Sequence, residues 1–149
     1  MAAVEYARRH GARTVAIACN PDTPLERAAE IAITVDVGPE VVTGSTRLKA
    51  GTAEKLVTNM LTTGAMARLG HVYGNLMIHV APKNSKLRAR AIAIIEELAQ
   101  VDQRTALRTL QAAGNSVPVA LVMLKASLSR SSAQKRLKEA RGNVRKALE

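Results

Sequence analysis

Two stretches of this chain are suited to β-strands, and the segment joining them is a helix. Residues 14–19, Thr-Val-Ala-Ile-Ala-Cys, form a short apolar run of the kind found in strands buried on both faces. Residues 31–37, Ile-Ala-Ile-Thr-Val-Asp-Val, return to β-branched side chains and read as a second strand. Between them Thr23 is placed to be an N-cap, Pro24 takes the first helical position, and Glu26 completes a capping box. A strand, a helix and a strand in that order imply parallel pairing. Parallel sheets are covered on both faces and carry several strands, so two strands are not a viable domain by themselves. The expectation is that the sequence is the back end of a longer protein whose first strands lie outside it. The alternative is that the pair joins a sheet of another chain. The stretch from Val4 to His10, stopped by Gly11, reads as the end of a helix packed for the strand that follows.

Beyond the second strand the pattern is helical. Ala53, Leu56, Val57, Met60, Leu61, Gly64 and Ala65 recur at helical spacing and predict one apolar stripe that ends near Gly70. Residues 72–77 read as a loop, and a helix beginning near Lys86 carries Leu87, Ala91, Ile94, Ile95 and Leu98. From Thr105 onward Leu110, Ala113, Gly114, Asn115, Val117, Ala120 and Leu121 are echoed by Leu137, Ala140, Gly142, Asn143, Val144, Ala147 and Leu148. Each copy reads as a helix ended by a Gly-Asn turn and a new helix begun by Val, which predicts a compact three-helix unit.

Composition narrows the functional classes. With 149 residues, no Trp, no Phe and two Tyr, the core must be built from aliphatic side chains, and stacking platforms for nucleic-acid bases are scarce. That disfavours nucleic acid as a partner, although a net charge of +10 attracts phosphate polymers nonspecifically. Eight of the Lys and Arg residues lie between Lys125 and Lys146, against Glu139 and Glu149 alone, so the excess sits in the tail and reads as a solvated helical face. Cys19 is the single cysteine, which excludes an intrachain disulfide and fits a cytoplasmic location. His10, His71 and His79 show no metal-ligand spacing, and neither a metal nor a cofactor is expected. No apolar run approaches the roughly 18 residues a membrane span requires, so no membrane partner is expected.

The most chemically suggestive segment is residues 38–52, Gly-Pro-Glu-Val-Val-Thr-Gly-Ser-Thr-Arg-Leu-Lys-Ala-Gly-Thr, placed between a strand and a long helix. Thr43, Ser45, Thr46 and Thr52 are ordinary capping residues one by one. Clustered with glycines and two cations at a helix start, they predict a seat for an anion, whose oxygens accept from hydroxyls and backbone N–H groups in the favourable field of the helix dipole.

This segment, followed by Asn59-Met-Leu-Thr-Thr-Gly-Ala-Met66 and Val72-Tyr-Gly-Asn-Leu-Met77, resembles the C-terminal half of the N-acetylmuramic acid 6-phosphate etherase family over essentially the whole chain. The related glucokinase regulatory protein shares a looser form of the loop. The resemblance implies an α/β fold: the C-terminal part of a sugar isomerase (SIS) parallel-sheet domain over residues 1–70, a connecting loop and helix over 71–104, and a small all-helical, ubiquitin-associated-like domain over 105–149. It implies a carbon–oxygen lyase that removes D-lactate from N-acetylmuramic acid 6-phosphate and leaves N-acetylglucosamine 6-phosphate in cell-wall sugar recycling. The family's catalytic glutamates and its main phosphate-gripping loop belong to the other half, so no catalytic residue is assigned here and this short form is expected to be inactive. Residue by residue, Glu40 matches the family's loop glutamate, suited to sugar hydroxyls. Ser45 and Thr46 match the hydroxyls near the ligand, and Arg47 and Lys49 supply charge for the lactyl carboxylate or the phosphate. Leu48, His79 and Pro118 depart from the methionine, aspartate and lysine usual at those positions. The partners implied are the sugar phosphate and a second copy in a homodimer. Two other classes compete: a noncatalytic sugar-phosphate sensor, and a basic helical adaptor for nucleic acid or an acidic protein, whose affinity would fall steeply with salt.

Overall fold

A computed structural model describes all residues, Met1–Glu149. The elements in order are α1 (Ala2–Arg9), β1 (Val15–Ala18), α2 (Pro24–Ala28), β2 (Ile31–Thr34), α3 (Lys49–Arg68), β3 (Val72–Tyr73), β4 (Leu76–Met77), α4 (Ser85–Ala99), α5 (Gln103–Ala112), α6 (Val117–Lys125), α7 (Arg130–Glu139) and α8 (Val144–Leu148). They fall into two compact units, Met1–Thr63 and Gly64–Glu149.

In the first unit β1 and β2 pair in parallel, with Val15 opposite Ile31 and Ala18 opposite Thr34. The capping box between them forms as the sequence predicts: the Glu26 N–H donates to Thr23 Oγ1 at 3.2 Å, and the Thr23 N–H donates to Glu26 Oε2 at 2.8 Å. Because α2 is barely more than one turn, its ends dominate its stability, and Thr23→Ala should cost about 1 kcal/mol in urea unfolding. The expectation that β1 is buried on both faces is corrected. Ala16 and Ala18 are buried, but Val15 is 52% exposed and its partner Ile31 is 45% exposed. A two-stranded pair has one face that α2 covers and no further layer to cover the other. The predicted stripe of α3 is likewise a helix face, yet only Val57 is buried, while Leu56, Met60 and Leu61 are exposed.

The hydrophobic core lies in the second unit. Ile78, Ile95, Leu110, Val117, Leu121, Val122 and Val144 are almost wholly removed from solvent, and the cluster draws on the stretch after β4 and on α4 to α8. Residues 72–77 are a β-hairpin and not the loop the sequence suggests: Val72 pairs with Met77 and Tyr73 with Leu76 across Gly74-Asn75. Gly74 has φ +62° and Asn75 a negative φ, the arrangement of a II′ turn with glycine in its first central position. Two residues per strand are too few for alternation to register.

The echoed Gly-Asn segments both end a helix. Gly114 (φ +69°) and Asn115 (φ +62°) close α5, and Arg141 (φ +52°) and Gly142 (φ +81°) close α7. Ser116 then caps α6, and Asn143 caps α8 with its Oδ1 accepting from the Lys146 N–H at 3.2 Å. The tail holds four helices where the periodicity suggests three; α8 is a single short turn begun at Val144, as the second Gly-Asn-Val echo reads.

Candidate functional site

The segment between β2 and α3 is shaped by its own polar groups. The Gly38 N–H donates to Asp36 Oδ1 at 3.0 Å, and Gly38 takes φ +63°, turning the chain off the end of β2. Val42 to Ser45 form a turn in which the Ser45 N–H donates to the Val42 carbonyl at 3.0 Å and Gly44 occupies φ +83°, as a type II turn requires. The Gly51 N–H donates to the Thr46 carbonyl at 2.9 Å, and Thr52 Oγ1 donates to the Leu48 carbonyl at 2.6 Å.

Glu40 ties the two ends of the loop together. Its Oε2 accepts from the Lys49 N–H at 2.9 Å and its Oε1 accepts from the Ala50 N–H at 3.0 Å. These are orphan donors of the first turn of α3, and a carboxylate there is favoured both by the two hydrogen bonds and by the helix dipole. The same bonds, first from Ala50 and then from Lys49, hold the Glu40 carboxyl below the usual glutamate range.

A cavity of about 250 Å³ lies against this loop, lined among others by Cys19, Asn20, Gly38, Glu40, Thr43 and Thr46. Cys19 and Asn20 follow β1 and Val37 follows β2, so the cavity stands at the carboxyl ends of parallel strands, where open α/β sheets place their ligands. Of the residues assigned from sequence, Glu40 and Thr46 reach it. Ser45 is half-buried within the turn and is not on the lining, while Arg47 is exposed. Lys49 lines a neighbouring apolar groove with Val37, Leu48 and Leu56, and its Nζ lies 3.9 Å from where a Cβ on Gly38 would stand. Cys19 and Asn20 escape the motif reading because they look like the tail of a strand; the strand-end rule was the signal that would have found them. The Cys19 thiol donates to the Ala50 carbonyl at 3.6 Å, and burial, followed by the nearby Glu54 and Glu40 carboxylates, pushes it up. The thiol thus serves here as a weak donor.

The basic tail is less free than its sequence implies. Lys125 Nζ donates to the Leu98 carbonyl at 2.9 Å, and an Arg136 guanidinium nitrogen donates to the Ala147 carbonyl at 3.3 Å, so both satisfy orphan acceptors at helix C-termini. Arg145 lies over the Tyr73 ring, 5.8 Å from its centroid, and Arg130 packs on Gly114. His71 and His79 stack at 4.0 Å; burial, then the neighbouring His71, lowers the His79 pKa. No cluster of three or more His, Cys, Asp or Glu side chains is arranged to hold a metal ion, and no helix is long and apolar enough to cross a membrane.

No protein-family model matches the chain. Curated relatives do. The chain is 49% identical over 141 residues to the N-acetylmuramic acid 6-phosphate etherase of Lactobacillus acidophilus, covering 95% of this chain and 47% of that protein. It is 49% identical over 146 residues to the etherase of Klebsiella aerogenes, with 98% and 49% covered, and 46% identical over 147 residues to that of Bacillus subtilis, with 99% and 48% covered. The chain spans about half the length of the curated relatives it matches. The resemblance carried by residues 38–77 thus extends along the whole sequence, and the chain is a homologue of the N-acetylmuramic acid 6-phosphate etherases, corresponding to their C-terminal half.

Proposed function

We propose that this chain is the C-terminal half of an N-acetylmuramic acid 6-phosphate etherase, acting in recycling of cell-wall sugars, and that the cavity against residues 38–52 belongs to its sugar-phosphate site. The observation that carries the reading is the 46–49% identity to etherases over nearly every residue of the chain. The cavity at the strand ends, with the Thr43 and Thr46 hydroxyls on its wall, supports it as a place where a polyhydroxylated ligand finds donors and acceptors. In this reading residues 1–70 are part of a SIS domain, residues 105–149 are a ubiquitin-associated-like domain, and the whole enzyme is a cytoplasmic homodimer.

The reaction is an elimination followed by hydration. With the sugar ring open, C1 is an aldehyde and the C2 proton becomes acidic enough for a carboxylate base to remove. Lactate leaves from C3 with a proton from an acid, and water adds to the unsaturated aldehyde. The resemblance assigns acid and base to glutamates in the half of the family that this chain does not match. The role left to this chain is to hold the sugar: Thr43 and Thr46 in the cavity for hydroxyl and phosphate oxygens, with Ser45, Arg47 and Lys49 outside it, the two cations for anionic ends. Release of D-lactate from N-acetylmuramic acid 6-phosphate is the test, with this chain alone and with an etherase N-terminal half added. Turnover is expected in the mixture only. Turnover by the chain alone would place the acid and base within it, and none in the mixture would shift weight to a noncatalytic sugar-phosphate sensor.

A further inference from the structure

The sequence suggests that an anion rests on the N-terminus of α3 and that Glu40 reaches for sugar hydroxyls. The geometry points elsewhere. The first-turn N–H groups of Lys49 and Ala50 already have an anion, the Glu40 carboxylate, one oxygen on each at 2.9 and 3.0 Å. A phosphate or lactyl carboxylate placed there would meet a like charge and find those donors taken. We propose that Glu40 is a positioning residue: it latches residues 41–48 into a closed bow by pinning both ends, so that Thr43 and Thr46 face the cavity, and it does not itself contact the sugar phosphate. The latch stands on hydrogen-bond geometry alone, while the statement about the ligand rests on the etherase reading above.

Three further observations fit a latch. The bow between the pinned ends makes few hydrogen bonds of its own, the Val42–Ser45 turn among them, so release of Glu40 frees most of it at once. Val41 and Val42 are 86% and 58% exposed, so apolar burial does not hold that part of the bow in its place. Lys49, whose N–H is one of the two pinned donors, carries its ammonium toward Gly38 at the opposite end of the same loop. The device therefore closes the loop from both sides with one carboxylate.

Amide hydrogen exchange on the full chain, with Glu40→Gln and Glu40→Ala variants, decides the latch. Protection of the Lys49 and Ala50 amides is expected to fall about tenfold or more in both variants, since two charge-assisted bonds are weakened or lost. The Ala106 amide, bonded to the Asp102 carbonyl within the second unit, should not change. The wild type should behave like the variants in acid. The Glu40 carboxyl is held low in the folded state, so its contribution is fully present above the unfolded value of about 4.3 and is lost as pH falls through the folded one. Lys49 and Cys19 are the titratable side chains beside it, and Glu54, which lies near Cys19, serves as the control: Glu54→Gln should leave the acid transition in place. Titration with N-acetylglucosamine 6-phosphate separates positioning from contact. The Thr43 and Thr46 resonances should move while the Glu40 carboxyl resonance stays, and both variants should bind more weakly. Unchanged protection in the variants would overturn the latch. Lost affinity with intact protection, or a ligand-shifted Glu40 carboxyl, would assign Glu40 to direct contact instead. A wild type that neither binds the sugar phosphate nor supports lactate release would refute the etherase reading, and the exchange data would still decide the latch.

Discussion

Leu121→Ala is expected to lower the stability of the second unit by about 2–5 kcal/mol, seen as a fall in the urea midpoint with little change in slope. Leu121 has no exposed surface, and it sits in the stretch Val117 to Val122, where six consecutive residues of α6 are buried. A helix hydrophobic all round must be central, and α6 packs against α4, α5, α7 and α8. Removal of the isobutyl group leaves a void whose walls belong to several helices, and these cannot all move in to fill it. A loss below about 1 kcal/mol would mean that the helices collapse around the site and that the core is less tightly specified than its burial implies.

Gly70→Ala is the second large effect, and its cause is different. Gly70 takes φ +83° between the end of α3 and the hairpin, a conformation that disfavours any Cβ. An added Cβ would also lie 2.8 Å from Asn143 Cα and 2.9 Å from Asn143 Cβ, atoms that no rotamer change can move aside. Asn143 is the cap of α8, so relief of the clash must disturb the bond from the Lys146 N–H. The two costs together predict a loss of about 2–4 kcal/mol, measured by thermal or urea unfolding. Gly64→Ala provides the contrast. Gly64 lies within α3 with nothing within 4 Å of its would-be Cβ, so the same chemical change should stabilise by about 0.5–1 kcal/mol. Losses of similar size at both positions would show that backbone freedom, and not the contact with Asn143, sets the effect at Gly70.

These outcomes separate what the sequence discloses from what it hides. Signals confined to one turn were legible. Thr23, Pro24 and Glu26 announce a helix start because every partner lies within three residues, and the paired Gly-Asn segments announce helix ends because a left-handed residue is a local requirement. The Val72–Met77 hairpin was not legible, since two residues per strand leave no period to count. The exposure of Val15 and Leu56 was not legible either: an apolar pattern states which face is to be covered, not whether a cover is present. Glu40 illustrates the same limit at the site. Familiar capping rules look three residues ahead, whereas its carboxylate reaches nine and ten residues along the chain, so the bonds that close the loop were not legible beside the reading of Glu40 as a residue for sugar hydroxyls. The hydroxyl cluster was found in sequence, but which of its members face a cavity depended on the turn at Gly44.

The apolar band on α3 has a consequence for how the molecule behaves in solution. Leu56 at 57%, Met60 at 65% and Leu61 at 46% exposure present adjoining aliphatic surface along one stretch of helix, in a unit whose own buried residues amount to Thr14, Ala16, Ala18 and Val57. Water is a poor solvent for such a surface, and the free energy of the dispersed molecule falls whenever anything covers it. The free chain should therefore bind a hydrophobic dye, and whatever covers the band should displace that dye.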